Sequence, residues 1–382
     1  MMILDPQYLV TFLALFFLIS AFFSFLINWL FLKFSFNLGA RTESEMGQVR
    51  WSANIKPAIG GISFFIVFLI SISVIGTLPR QTDYLLDKHL IGIIASTSLG
   101  FILGLADDAY NTNPLAKFIL QLSCAFILII SDVYIRISGS PAFDFIITIV
   151  WVIGLMNSIN MLDNMDAITT SISMCIIVGL IAIIALSAPS LSAFYLVMLI
   201  GVLGALSGFM FFNWHPARIY MGDTGSQFLG VFLASTSILF FWNFKDPNVV
   251  VIIQLRQFVV PMLLFIVPLI DTTTVTIRRL MRRQSPFVGG KDHITHHLAY
   301  LGLSDKMVAL VLITTSLISL PLVLLLVLDI IPWGGWVTVA AFAYFAIVFS
   351  IFQVLYNIGA KKQALKLQAK AAAAARSETI ER

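Results

Sequence analysis

SAFYLVMLIGVLGALSGFMFFNWHPARIYMGDTGSQFLGVFLASTSILFFW, residues 192–242, joins two strongly apolar segments, 192–212 and 225–242, through a short polar connection. A helix crosses the hydrocarbon core of a bilayer in about twenty mainly apolar residues. Each segment therefore reads as a membrane span, and the connection as the mouth between them. In that mouth Gly222 and Gly225 bracket Asp223, with Asn213, His215 and Arg218 just before. Glycine lets a backbone come close to a phosphate or an ion, and a carboxylate is a ligand for a hard cation. Asp223, Thr224 or Ser226 could also simply cap the following helix.

The rest of the chain repeats the apolar pattern. Of 382 residues, 59% are hydrophobic and only 11% charged, with a mean hydropathy of +0.97. Soluble domains carry roughly a quarter charged residues, so a soluble fold is excluded. Eleven spans are expected, near 8–32, 58–78, 89–105, 117–131, 143–158, 168–188, 192–212, 225–242, 257–277, 306–328 and 336–357. Asp5 and the length of the first span speak against a cleavable signal peptide. Cys124 and Cys175 both fall inside spans, which excludes a disulfide framework or a cysteine zinc site. No internal repeat of the transporter kind is present.

The connections alternate between two faces. One face holds only Arg80, Lys88, Arg136, Lys245 and Arg256; every other Lys and Arg falls on the opposite face or in the tail. By the positive-inside rule the basic face is cytosolic. The expected architecture is thus all-α and polytopic, with the N-terminus outside and the C-terminus in the cytosol. Residues 1–357 form a single transmembrane catalytic domain with a cytosolic-face site, and 358–382 a basic, Ala-rich cytosolic tail. Asp107, Asp108, Asp163, Asp166, Asp223 and Asp292 all gather on the cytosolic face or its membrane edge. Topology does not require that, because acids contribute little to orientation.

Four loops on this face carry chemistry. In LGLADDAYNTNPLAKFILQ, 103–121, adjacent Asp107 and Asp108 repel unless a cation or proton lies between them, and Lys117 follows. In NSINMLDNMDAITT, 157–170, Asn160, Asp163 and Asp166 are spaced three apart, so a helix would turn both acids towards one cavity. The third loop is the mouth before Asp223. In the fourth, Arg278, Arg279, Arg282 and Arg283 precede a Gly289-Gly290 turn and His293, His296 and His297. Arginine forks suit phosphate oxygens, and Asp271, inside the ninth span, calls for a partner. Lys56, before Gly60 and Gly61, adds a further cation. Carboxylates for Mg²⁺, cations for phosphates and a membrane for a lipid substrate together point to phosphoryl transfer at the bilayer surface.

LADDA, NMLDNMD, NWHPARIYMGDTGS and KDHITHHL resemble, in order and face, the polyprenyl-phosphate N-acetylhexosamine-1-phosphate transferase superfamily, a glycosyltransferase family 4 type. The likeness is to its undecaprenyl-phosphate N-acetylglucosamine-1-phosphate transferase branch, which starts O-antigen, lipopolysaccharide, enterobacterial common antigen and teichoic acid synthesis. It runs from about Lys56 to His297. The resemblance implies transfer of a sugar 1-phosphate from a UDP-sugar to undecaprenyl phosphate, with release of UMP and a need for Mg²⁺ or Mn²⁺. It implies a multi-pass protein of the bacterial cytoplasmic membrane, a homodimer, and no nucleic-acid partner.

By the family pattern Asp223 and Asp107 would be metal ligands, with Asp107 also the acid acting on the lipid phosphate or the diphosphate. Asp108, Asp163, Asp166, His296 and His297 would complete the catalytic set. Asn160 would line the nucleotide and diphosphate cavity. Asn213 and Tyr220 would lie near uridine, Lys56 and Lys117 near phosphates, with Arg278, Arg279 and His293 on the substrate side. Family glycines are replaced here by Asn164 and Ala167, which suggests a looser loop, and the histidine motif has a wider gap after His293. The rival readings are the related phospho-N-acetylmuramoyl-pentapeptide transferase and a transporter with acidic gating loops.

Overall fold

The computed structural model describes residues 6–34, 56–77, 87–187, 192–244, 253–285 and 290–380. Arg41, Arg50, Arg80, Lys245, Gly289 and Arg382 lie outside them. The described chain is helical, with one isolated parallel bridge between Ala58 and Tyr220. In chain order the helices are α1 (Pro6–Phe34), α2 (Gly60–Thr77), α3 (Lys88–Tyr110), α4 (Pro114–Ile130), α5 (Pro141–Leu162), α6 (Ile168–Ser187) and α7 (Ser192–Asn213). Then come α8 (Gly222–Ser237), α9 (Arg256–Leu264), α10 (Ile266–Met281), α11 (Ile294–Tyr300), α12 (Asp305–Val327) and α13 (Gly335–Ile380).

Eight helices among the described residues are long and apolar enough to cross a membrane, or nine if the bent pair α9 and α10 is one span; α2 and α4 are shorter apolar helices. The ninth expected span, 257–277, is therefore not one straight rod. It breaks by 85° at Phe265. Pro268 explains the position of the break, since its ring would collide with the carbonyl four residues earlier, at Leu264, where α9 ends. The eighth span also departs from a plain α-helix, closing in a π-helical turn, Ile238–Trp242.

Burial orders the bundle. The α8 span is 89% buried, against 22% for α1 and 17% for α13. The central helix is enclosed on every side, its polar Gln227, Ser235, Thr236 and Ser237 included. The outer helices turn Leu18, Phe22, Val339 and Ile347 outward, the surface that lipid covers. Helices α3 and α5 pack directly against α8. Glycines make the approach close: a Cβ on Gly104 would stand 2.2 Å from the Asp223 carbonyl oxygen, and one on Gly61 2.2 Å from the Gly225 nitrogen. Small residues at such crossings let helix backbones nearly touch. Gly225, which follows Asp223, belongs to the same crossing, since a Cβ there would stand 3.0 Å from the Gly61 Cα.

At 46 residues, α13 is about 69 Å long at 1.5 Å per residue. That exceeds the ~30 Å hydrocarbon core, and the helix runs without interruption through residues 357 and 358.

Candidate active site

The sequence DDAYNTNP folds back on itself for local reasons. Asn111, in the left-handed region at φ 51°, ends α3 and returns its N–H to the Asp107 carbonyl. The Thr112 N–H and hydroxyl then donate to Asp107 Oδ1 at 2.9 and 2.6 Å. Asn113 caps α4 through the Leu115 N–H, with Pro114 in the first turn, where a missing N–H costs nothing. One turn into α4, Lys117 donates to Asp107 Oδ2 at 2.6 Å and lies 4.0 Å from Asp223 Oδ1. The Asn160 amide, from the last turn of α5, donates to Asp223 Oδ1 and, at 2.8 Å, to the Ser226 hydroxyl. Asp107, Lys117, Asn160 and Asp223 therefore meet at the ends of four helices.

Asp108 points the other way. Its carboxylate accepts from the Asp223 N–H at 3.1 Å, the Thr224 N–H at 2.8 Å and the Thr224 hydroxyl at 2.6 Å. The cap of α8 is thus supplied by α3, not by Asp223, Thr224 or Ser226, and it sits at the positive end of the α8 dipole. Gly222, at φ +73°, makes the approach possible, because a Cβ there would stand 2.6 Å from Asp108 Oδ2. Asp108→Ala removes the cap and strands these donors, at a cost of about 2 kcal/mol. A melting temperature in detergent several degrees below wild type is expected; an unchanged one would contradict the capping role.

The helical spacing expected to align Asp163 with Asp166 is not present. α5 ends at Leu162 with Asp163 as its C-cap, so the helical spacing stops there. Asp166 turns to the α7–α8 connection, accepting from the Ala217 N–H at 2.8 Å and lying 3.1 Å from His215 Nδ1. Lys56 lies 3.9 Å from Asp166 and 5.0 Å from the Tyr220 ring centroid. Tyr220 is tied to the segment before α2 by its N–H to Pro57 O and by Gly60 N–H to its own carbonyl, both 3.0 Å. Asn213 is buried as a structural tie, accepting from Thr170 and donating to Ile219 O. Ala167 adopts φ 65°, a conformation that glycine takes without strain. Asn164 accepts from Thr295 at 2.7 Å, joining the loop to α11.

The fourth loop forms its own cluster. Asp271 finds its partner in His293, whose Nδ1 lies 2.8 Å away, and in the Ile294 N–H. Arg279 grips Asp292 with two bonds of 2.8 and 2.6 Å. Burial would raise the Asp292 carboxyl, but this pairing outweighs it and holds the group below the usual carboxylate range. Arg278 faces α13, donating to Gln353 and Asn357. Neighbouring arginines differ because adjacent helical residues point about 100° apart.

His296 and His297 are 2% and 4% exposed. Burial, then nearby His293, brings His296 down to about 3; burial, then Arg278, brings His297 down to about 4. Both are neutral at pH 7. As pH falls below about 6.5 the unfolded chain takes up protons first, so stability is full above that value and declines through 4 and 3. The slope is up to about 1.4 kcal/mol per pH unit for each histidine. A melting temperature lower at pH 4.5 than at pH 7 is expected, and a flat profile would contradict it.

Sequence reading noted His215 and Thr224 but not their partners, and passed over Thr112 and Thr295; His215 also lies 3.5 Å from Asp305. The one local signal was Thr112, in the turn just after the acid pair. Among the described residues no three His, Cys, Asp or Glu side chains converge as a metal cluster. The donor set nevertheless fits Mg²⁺, which commonly takes one or two carboxylates and completes its shell with water and substrate phosphate. Asp107 and Asp223 supply two hard carboxylates that already share one cation, Lys117.

Residues 90–241 match the model of a family described as glycosyl transferase family 4. The chain is 27% identical over 267 residues to a probable undecaprenyl-phosphate N-acetylglucosaminyl 1-phosphate transferase of Bacillus subtilis (strain 168), covering 68% of this chain and 70% of that one. It is 24% identical over 281 residues to a decaprenyl-phosphate N-acetylglucosaminephosphotransferase of Mycobacterium tuberculosis (strain ATCC 25618 / H37Rv), covering 67% and 68%. It is 26% identical over 315 residues to a phospho-N-acetylmuramoyl-pentapeptide-transferase of Staphylococcus haemolyticus (strain JCSC1435), covering 75% and 89%.

Proposed function

We propose that this chain, which belongs to glycosyl transferase family 4, transfers N-acetylhexosamine 1-phosphate from a UDP-sugar to undecaprenyl phosphate and releases UMP. A phosphate oxygen of the lipid forms the new bond to the phosphorus that bears the sugar, and the bond from that phosphorus to the UMP oxygen breaks. The observation that carries the reading is the meeting of Asp107, Lys117, Asn160 and Asp223 where four membrane helices end. A lipid phosphate reaches such a place from the bilayer and a nucleotide from the water. On this reading the site faces the cytosol of a bacterial inner membrane.

Each group then has a task set by its position. Lys117 carries positive charge to the phosphates, held by Asp107 below it. Asn160 fixes the Asp223 carboxylate, and Asp108 fixes the N-terminus of α8 on which Asp223 stands. Lys56 and Tyr220 form a cationic and aromatic wall suited to a nucleotide. Mg²⁺ held by Asp223 and Asp107 would neutralise diphosphate charge.

The test uses purified protein in detergent, undecaprenyl phosphate and a panel of donors that includes UDP-N-acetylglucosamine and UDP-N-acetylmuramoyl-pentapeptide. Lipid-dependent UMP release that needs divalent cation is expected, greatest with an N-acetylhexosamine donor. Release with the pentapeptide donor alone would move the chain to the other branch. No UMP from any donor would sink the proposal.

A further inference from the structure

Tyr356 stands on α13, outside the four loops that build the site and outside the segment matched by the family. We infer that Tyr356, with Gln353 and Asn357, is a positioning residue that holds Arg278 ready for the diphosphate of the donor. The inference rests on the transferase reading above and deepens it.

The contacts are specific. The Arg278 guanidinium carbon lies 3.9 Å from the Tyr356 ring centroid, and the His297 ring centroid lies 3.6 Å from the same ring. Arg278 Nη2 donates to Asn357 at 2.8 Å and to Gln353 at 3.1 Å. Gln353 in turn donates to Thr274, one turn back on α10, so the clamp is itself held. The α13 backbone presses on α11, since a Cβ on Gly359 would stand 2.3 Å from the His297 carbonyl oxygen. Tyr356 is 1% exposed.

The chemistry of the clamp separates function from mere packing. Arg279 is neutralised by Asp292, as a structural arginine is. Arg278 is held by neutral groups: two carboxamides and an aromatic face. Its side chain is immobilised without losing its charge, and no carboxylate among the described residues pairs with it within 4 Å. With Nη2 committed to the two carboxamides and Nε buried, Nη1 remains to donate to a phosphate oxygen, and it does so from a fixed guanidinium that keeps its charge. Stacking on the ring adds cation–π attraction and removes rotamer freedom that binding would otherwise have to remove.

The experiment compares wild type, Tyr356→Phe and Tyr356→Ala, in the full-length protein. It reads the Kd for UDP-N-acetylglucosamine by calorimetry, both substrate KM values by UMP release, and the melting temperature. The phenylalanine variant keeps the ring and should stay within about twofold of wild type. The alanine variant should raise donor Kd and KM at least about tenfold while leaving the KM for undecaprenyl phosphate within about twofold. Should Tyr356→Ala fail to fold, Gln353→Ala with Asn357→Ala must show the same donor-selective loss. Unchanged donor affinity, or equal shifts for both substrates, would overturn the positioning role. A wild type that binds the donor but releases no UMP would overturn the transferase reading instead, and the donor Kd of the variants would still decide this one.

Discussion

Asp223→Ala is expected to lower kcat for sugar-phosphate transfer at least about a thousandfold, on the scale of removing a group that stabilises transition-state charge. The side chain occupies the first turn of the most enclosed helix among the described spans. Without it Asn160 keeps only the Ser226 hydroxyl as acceptor, and Lys117 falls wholly to Asp107, where its charge is cancelled rather than shared. Asp223→Asn keeps the shape and removes only the charge, so an equally deep loss in that variant assigns the effect to charge. The protein should still fold, because the cap of α8 is Asp108 and the Asp223 contribution to it is a backbone N–H. UMP release at saturating substrates, with folding checked by melting temperature, measures both. Activity within tenfold of wild type in either variant would show that the charged centre lies elsewhere.

Gly104→Ala should be nearly as damaging through a different cause. The added methyl would stand 2.2 Å from the Asp223 carbonyl oxygen and 2.5 Å from the Thr224 Cα, both backbone atoms with no rotamer to yield. The helices must part, and overpacking of this kind typically costs 1–3 kcal/mol. Asp107 and Asp108 ride on the same helix, so separation lengthens the cap bonds to α8 and widens the gap between Asp107 and Asp223. A displacement of about 1 Å is enough to cost a hundredfold in rate. We expect kcat to fall at least about a hundredfold, with a melting temperature lowered but a cooperative transition retained. Wild-type kcat in this variant would mean that the packing of α3 on α8 does not set the site.

That the chain is all-helical and membrane-spanning was legible because a bilayer imposes length and apolarity on any helix that crosses it. The departures have local or tertiary causes. Pro268 sits in an unbroken apolar run, and its effect on Leu264 is a steric fact that hydropathy does not register. The five acids of the first three loops were legible as a group, but not their separate tasks. Asp107 and Asp108 are neighbours in sequence, yet one pairs with Lys117 and the other caps α8. Asp163 and Asp166 have helical spacing in a stretch where the helix has already stopped. Asp166 instead meets Lys56 and His215, partners far away in sequence. In the same way Arg278 and Arg279 look alike, yet one is neutralised by Asp292 and the other is clamped by α13, which returns to the loop only through the fold.

Transfer of a sugar 1-phosphate, rather than of the sugar alone, is the central claim, and the fate of one phosphorus tests it directly. UDP-N-acetylglucosamine labelled in the phosphate that bears the sugar is incubated with the protein and undecaprenyl phosphate. The label is expected to move into the lipid fraction, with unlabelled UMP left in the water. Label remaining in the aqueous phase as UDP, while sugar enters the lipid, would contradict the account.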